Sequence, residues 1–178
     1  MKKIYSSIFL SIAAFVAFVV VFNRCSSNEK NQTITLKNIE FTLEGPLYSG
    51  SNPAQYTYQV DLKSLMGDQF VEGAKISSAS LKSAQISSSD SAGNFDMINS
   101  FVLSLASDNK DVKMQELALL NPVPASSKMV ELKPSAEAKA DGFFSEKQFY
   151  IVLDADLKED LEANMTFKAD LVFNVNYK

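Results

Sequence analysis

Apolar side chains occupy every second position from Met165 to Tyr177, in the order Met, Phe, Ala, Leu, Phe, Val and Tyr. A period of two places side chains on one face of a β-strand, and this run makes an unusually long one. Fraying such a strand would expose much of one face of the core, so we expect it to be central and paired on both sides. The rest of the fold must therefore be built around a sheet.

Weaker alternation of the same kind recurs along the chain and predicts several shorter strands. A phase change at Lys37–Asn38 indicates a bulge in the first of them. Residues 62–73 are predicted to form a short helical turn, and residues 135–141 a small helix with Ser135 as N-cap and Gly142 as C-cap. The other predicted strands lie within residues 33–43, 56–62, 76–91 (an edge strand or a short pair), 101–105, 112–120, 129–132 and 149–155.

Seven to nine short strands separated by Gly, Pro, Asn and Ser turns, without regularly alternating long helices, are typical of an all-β fold. We predict an antiparallel β-sandwich of immunoglobulin-like or jelly-roll topology. A closed eight-stranded barrel is the alternative.

The composition of the 178 residues excludes several kinds of chemistry. The chain has no histidine, which excludes a Ser-His-Asp or Cys-His relay and the usual histidine-containing zinc sites. A single cysteine excludes an internal disulfide framework. We predict no cofactor.

The N-terminus has the pattern of an export or membrane segment. Lys2 and Lys3 precede an uncharged run over residues 4–22. As a helix this run is about 28 Å long, close to the roughly 30 Å of bilayer hydrocarbon. The lysines favour keeping the N-terminus in the cytoplasm and exporting the rest of the chain.

Cys25 directly follows this segment and begins the polar stretch Cys-Ser-Ser-Asn-Glu-Lys. In these first residues the chain resembles a bacterial lipoprotein precursor. The resemblance implies cleavage before Cys25, a lipid on its sulfur and acylation of its amine. Because Arg24 stands where that family has a small residue, an uncleaved signal anchor is the alternative.

These patterns divide the chain into a signal peptide or anchor (1–24), a polar tether (25–32) and a β-sandwich domain (33–178). Either form of anchoring holds the domain stably at a membrane, so we expect a bacterial envelope location with the domain in the periplasm or on the cell surface. Removing residues 1–24 deletes three basic residues and no acid, which lowers the net charge from −4 to about −7. An acidic domain without basic clusters is not expected to bind nucleic acid.

Two acidic segments are candidate cation sites, because hard cations prefer several oxygen ligands. Residues 154–162 hold five carboxylates in nine positions, and residues 90–96 place two carboxylates and an amide around a glycine. The first lacks the spacing of an EF-hand loop and the second lacks a following acidic anchor. We interpret both as polar loops and predict no metal site.

The aromatic residues suggest where a partner might make contact. Tyr56 and Tyr58 share the apolar face of their predicted strand, which favours core packing over a sugar-binding platform with Tyr48. Phe143 and Phe144 are adjacent and cannot both follow one strand face inward. One of them is therefore a candidate for an exposed partner contact, although we favour a loop that folds both into the core.

No pair of carboxylates and no serine with a base at the required spacing points to an enzyme. We predict a non-catalytic envelope lipoprotein that binds a protein partner or has a structural role. The alternatives are a carbohydrate-binding or adhesion module that recognises a surface glycan and, below it, a carboxylate-dependent hydrolase.

Overall fold

A computed structural model describes residues 29–89 and 93–178. Within them the chain forms eight antiparallel strands, one short α-helix, a single 3₁₀ turn and a second helical turn. The strands are β1 (Lys30–Leu43), β2 (Gly50–Gln59), β3 (Ile76–Ser88), β4 (Ile98–Ala106), β5 (Gln115–Leu120), β6 (Met129–Pro134), β7 (Gln148–Leu157) and β8 (Met165–Tyr177). Helix α1 is Leu62–Met66, the 3₁₀ turn is Gly67–Gln69 and α2 is Asp141–Phe144.

The strands follow one another in the order β1-β8-β3-β6-β5-β4-β7-β2. Two four-stranded halves, β1-β8-β3-β6 and β2-β7-β4-β5, meet through a short ladder in which Ala118 pairs with Pro134 and Leu119 with Lys133. At the other side of the fold β1 and β2 are the end strands of the order. This order is that of an eight-stranded jelly roll, one of the two predicted sandwich topologies.

The inner faces of both halves pack into one hydrophobic cluster. Every second side chain of β7, from Phe149 to Leu157, is buried, and β8 alternates in the same way. Two groups of phenylalanines fill the ends of this core. Phe95, Phe101 and Phe167 form one, and Phe143, Phe144, Phe149 and Phe173 form the other.

The predicted position of β8 is confirmed, because it pairs with β1 on one side and β3 on the other. The bulge at Lys37–Asn38 is also confirmed. The β1–β8 register shifts between Leu36 and Ile39, and Asn38 takes the left-handed conformation (φ 55°) that such a bulge needs.

The prediction of an edge strand or a short pair over residues 76–91 is wrong. This segment forms β3, which lies inside the sheet between β8 and β6. Its serines mostly face outward, while Ala79, Leu81, Ala84 and Ile86 face the core. The high serine content favoured an edge strand in the sequence analysis. Serine is also compatible with the solvent-facing side of a central strand, because its side chain is small and polar.

The prediction of a helix over residues 135–141 is also wrong. Ala138 and Ala140 are buried, and the Ala140 amide donates to the Ala79 carbonyl at 2.9 Å. Because of this contact, residues 135–140 run beside β3 and do not form a helix. The helical turn α2 begins only at Asp141. The predicted helical turn after β2 is confirmed as α1, whose N-cap Asp61 accepts a hydrogen bond from the Ser64 amide at 3.1 Å.

The two ends of the sandwich carry different connections. We call the end where β1 begins the proximal end; it also carries residues 60–75, 107–114 and 135–147. The distal end carries residues 44–49, 121–128, 158–164 and the described part of the β3–β4 connection. In the parts of the chain that the structure describes, no helix is both long and apolar enough to cross a bilayer. The predicted export helix lies outside those parts.

Candidate functional site

The predicted site residues have different outcomes. Cys25 lies outside the described residues. Phe143 and Phe144 are 2% and 1% exposed, so the loop folds both into the core, and the candidate role of either as an exposed partner contact is wrong. Helical turn α2 directs both rings inward, where each packs edge-on against Phe149.

The tyrosines do not form one aromatic platform. Tyr58 is half-buried, with its ring centroid 5.3 Å from that of Phe149, and burial raises the pKa of its hydroxyl. Tyr56 remains 36% exposed because β2 is an end strand. Tyr48 is 69% exposed but precedes β2 at the distal end, whereas Tyr58 lies near the proximal end of that strand.

The outer side of β2-β7-β4-β5 combines carboxylates with half-buried apolar side chains, and we call it the acidic face. Three of its members are Asp154, Asp156 and Glu116, and none is basic. The full set is Ser51, Pro53, Gln55, Thr57, Ser100, Val102, Ser104, Ala106, Glu116, Leu119, Tyr150, Val152, Asp154 and Asp156.

Asp154 lies at the centre of the acidic face. Its register neighbours are Pro53 on β2 and Val102 on β4, and Val102 in turn pairs with Leu119, which is 40% exposed. One carboxylate oxygen, Oδ2, accepts a hydrogen bond from Ser51 Oγ at 2.6 Å. The other oxygen, Oδ1, is shielded from solvent and has no hydrogen-bond partner. A buried acceptor without a donor is rare and costs free energy.

The same face extends to Tyr150 near the proximal end. The Tyr150 hydroxyl donates to Asp108 Oδ2 at 2.6 Å and also lies 3.5 Å from Gln148 Nε2. The hydrogen bond to Asp108 is the main reason that the pKa of Tyr150 is raised. Tyr150 is therefore held in its neutral, donating form at the margin of the acidic face.

The outer side of β1-β8-β3-β6 has a different composition, and we call it the hydroxyl–amide face. Asn31 Nδ2 donates to Asn176 Oδ1 at 2.8 Å, and the Asn38 amide donates to Asp170 Oδ1 at 2.8 Å. The full set is Asn31, Thr33, Thr35, Glu40, Thr42, Ser78, Ser80, Ser83, Gln85, Ser87, Met129, Glu131, Lys133, Thr166, Lys168, Asp170, Val172, Asn174 and Asn176.

The first of the two acidic segments is divided in the structure between a strand and the turn that follows it. Asp154 and Asp156 belong to β7, while the rest of residues 154–162 form its end and the turn toward β8. Leu161 in that turn forms a two-residue bridge with Leu47. Residues 90–92 lie outside the described part. In residues 29–89 and 93–178, no three acidic or cysteine side chains are grouped to hold a metal ion.

A cleft of about 600 Å³ opens at the proximal end, and we call it the proximal cleft. Its wall includes Phe144, one of the two predicted contact residues, which lies at its base. Among the lining residues Glu146 is the one carboxylate, so the cleft does not offer the pair that glycoside hydrolysis uses. The lining residues are Val60, Leu62, Ala74, Lys75, Ile76, Phe144, Ser145, Glu146 and Lys147.

Sequence reasoning missed both the acidic face and the proximal cleft. The alternation of apolar residues in β7 predicts that Asp154 lies on the outer side of the strand. The local sequence does not show that Val102 lies beside it, with Leu119 on the next strand. The cleft joins three segments that are distant in the chain. Neither arrangement has a local sequence signal.

No protein-family model and no curated protein matches this sequence. Solved structures with a similar fold include a protein of the infectious bursal disease virus Gx strain, with 12% identity and a TM-score of 0.44 over 85% of this chain. The chain spans about a third (32%) of the length of that protein.

Two further similar structures are a decameric BFDV capsid protein and a carbohydrate-binding module of the β-sandwich superfamily. The capsid protein has 11% identity and a TM-score of 0.41, covering 85% of this chain and 100% of its own. The module has 7% identity and a TM-score of 0.36, covering 85% of this chain and 55% of its own. Similarities this distant assign neither a family nor a function.

Proposed function

We propose that this protein is a membrane-anchored envelope protein whose non-catalytic β-sandwich binds a protein partner through the acidic face. The observation that carries the binding proposal is the shielded, unpartnered Oδ1 atom of Asp154 beside Val102 and Leu119. A partner with a basic side chain and an apolar surface would supply a donor to the Asp154 carboxylate once side-chain rotation exposes Oδ1, and would cover the apolar neighbours.

The anchoring proposal rests on the apolar N-terminal run, Cys25 and a short tether. Strand β1 begins at Lys30, five residues after Cys25. Five residues of fully extended chain span at most about 18 Å. A lipid on Cys25, or a helix ending near Phe22, would therefore hold the proximal end close to the membrane surface and leave both outer faces accessible.

Charge complementarity defines the expected partner more closely. Asp154, Asp156 and Glu116 give the acidic face a net negative charge, and Lys133 of β6, the register partner of Leu119, borders it. Potentials of this kind favour encounter with basic surfaces and select against acidic ones. The partner is accordingly expected to present Arg or Lys around an apolar centre.

Site-specific photo-crosslinking in the native envelope tests the binding proposal. A benzophenone amino acid replaces Leu119 on the acidic face or, as the matched control, Asn174 on the hydroxyl–amide face. We expect a discrete protein adduct from position 119 and not from position 174. Adding Asp154→Val to the Leu119 variant should remove most of that adduct.

Two results would contradict the binding proposal. Equal adducts from both positions would show that contact does not depend on the acidic face. An adduct at position 119 that survives Asp154→Val unchanged would show that the carboxylate does not contribute to recognition.

Replacing Cys25 with serine tests the form of anchoring. Lipidation predicts that the wild-type protein carries the added mass of the acyl groups and that C25S loses both this mass and stable membrane partition. Unchanged mass with full retention of C25S would end the lipid proposal and leave an uncleaved helix as the anchor. Recovery of the wild-type chain in the soluble fraction would overturn both forms of anchoring.

A further inference from the structure

The proximal cleft combines an apolar base with a basic rim. Val60, Leu62 and Phe144 contribute apolar surface, and Lys75 and Lys147 stand at its margin. Both lysines are exposed, and among the described residues neither ammonium group has a hydrogen-bond or ion-pair partner. An apolar pocket with a few convergent polar groups is the usual form of a small-molecule site, and its volume is within the usual range of about 300–1,000 Å³.

Backbone hydrogen bonds hold the walls of the cleft in place. The Val60 amide donates to the Lys147 carbonyl at 2.9 Å and joins the end of β2 to the segment before β7. Lys75 and Lys178 exchange two backbone hydrogen bonds, each of 3.0 Å. The two lysines at the rim are therefore positioned by the sheet and not by a free loop.

Three carboxylates near the cleft accept hydrogen bonds from neutral donors. Glu146 Oε1 accepts from Asn109 Nδ2 at 2.8 Å, and Asp61 caps α1 through the Ser64 amide. Glu29 accepts a hydrogen bond from Ser77 Oγ. Of the charged groups that line the cleft, Lys75 and Lys147 are the ones for which the described residues supply no hydrogen bond.

The position of the cleft relative to the anchor suggests its occupant. Ser77, which contacts Glu29, directly follows the cleft residue Ile76. The described chain therefore begins beside the cleft, and Glu29 is four residues from Cys25. Four extended residues span at most about 14 Å, so an anchor at Cys25 holds Glu29 and the neighbouring cleft within about that distance of the anchoring point.

We infer that the proximal cleft binds the phosphate headgroup of an anionic membrane phospholipid, with Lys75 and Lys147 on the phosphate and the glycerol and upper acyl carbons against Val60, Leu62 and Phe144. This inference deepens the proposed function, because it rests on anchoring at a membrane. It assigns the proximal end as a second membrane contact and leaves the acidic face, which runs along the side of the sandwich, accessible to a partner.

Hydrogen–deuterium exchange of the full chain in vesicles tests this inference. The chain is reconstituted in phosphatidylcholine alone or with phosphatidylglycerol added. In the mixed vesicles we expect amide exchange in residues 72–78 and 143–148 to slow by about fivefold, which corresponds to the roughly 1 kcal/mol that one lysine gains near an anionic surface when that contact must break before the amides can exchange. Lys75→Glu with Lys147→Glu should abolish the slowing, whereas the matched pair Lys37→Glu with Lys168→Glu should retain it.

Further variants and conditions distinguish the absence of a lipid site from misfolding, from binding of free phosphate and from a failure of anchoring. Lys75→Gln with Lys147→Gln repeats the test without adding negative charge, and thermal unfolding checks that each variant folds. Equal exchange in both vesicles, with the chain membrane-bound, would overturn the lipid site and leave the proposed anchoring intact. Equal slowing by inorganic phosphate without vesicles would overturn the assignment to a membrane lipid. A chain that sediments with neither vesicle would overturn anchoring and, with it, this inference.

Discussion

The two outer faces of the sandwich are built on the same core but treat their polar groups in opposite ways. On the hydroxyl–amide face the asparagines bond to one another, and Asp170 accepts from the Asn38 backbone at the bulge. On the acidic face Asp154 keeps one carboxylate oxygen unpartnered beside Val102.

Among the described residues, this difference separates an outer face without a shielded, unpartnered side-chain oxygen from one that has such an oxygen in Asp154. The hydrogen bonds of the hydroxyl–amide face reduce the free energy that a partner would gain by binding there, because the bonded side chains would have to break one hydrogen bond to form another. On the second face a donor from outside forms a bond where none existed. The acidic face is therefore the better candidate for a protein contact.

The largest expected effect tests whether the two faces belong to one folding unit. Phe149 on β7 packs against Tyr58, Phe143 and Phe144, and Phe144 also meets Phe173 of the other half. Phe149→Ala should lower the free energy of unfolding by about 3–5 kcal/mol, because it leaves a cavity in a shared core. Urea unfolding followed by circular dichroism and tyrosine fluorescence should still give one coincident transition. Two separate transitions would show that the faces rest on independent halves.

Removing one carboxylate from each face should change the free energy of unfolding by a smaller amount. We expect an increase on the acidic face and a decrease on the hydroxyl–amide face. Asp154→Val replaces an incompletely bonded group by a good strand former and should raise the free energy of unfolding by about 1 kcal/mol. Asp170→Val loses the 2.8 Å hydrogen bond from the Asn38 amide and should lower it by about 1–2 kcal/mol. The midpoints of urea unfolding of the two variants, compared with that of the wild-type protein, measure both changes in stability. Destabilisation by both substitutions to the same extent would remove the distinction between the faces.

The smallest effect concerns the ionisation of Tyr150 at the margin of the acidic face. Its pKa lies above the usual value of about 10, chiefly because its hydroxyl donates to Asp108. The raised pKa stabilises the folded state fully below about pH 10, and this contribution is lost as the pH rises through the folded pKa. Asp108→Asn should lower the pKa of Tyr150.

Tyrosinate absorbance during a pH titration, with Tyr150→Phe subtracted to isolate the one hydroxyl, measures this shift. Asp111→Asn removes a carboxylate from the same loop and serves as the control. If Asp108→Asn and Asp111→Asn lower the pKa of Tyr150 equally, the raised pKa is caused by the negative charge of the loop as a whole and not by the hydrogen bond to Asp108.

Several parts of the fold were predictable because their signal is local. The alternation in β8 and the phase change at Lys37–Asn38 depend only on which neighbouring side chains must face the core. The errors arose where a distant contact overrode local preference. Ala140 bonds to Ala79 of β3 in place of continuing a helix, and the serines of β3 cover a central strand.

The candidate sites were less predictable than the fold. The sequence singled out Phe144, but as an exposed contact, whereas it lies at the base of the proximal cleft. The lysines of that cleft, Lys75 and Lys147, are far apart in the chain and each is unremarkable in its own segment. They share the cleft because the two halves of the sandwich meet at the proximal end, where Lys147 is bonded to the end of β2 and Lys75 to the end of β8.

By itself, the sequence determined the all-β class, the central place of β8 and the expectation of an anchored, acidic domain, because each depends on periodicity or composition within one stretch of chain. The tertiary structure decided which outer face is left with an unpartnered carboxylate, where Phe143 and Phe144 point, and which lysines share a cleft. Those properties depend on strand order and register, which are set when the two halves close over their common core.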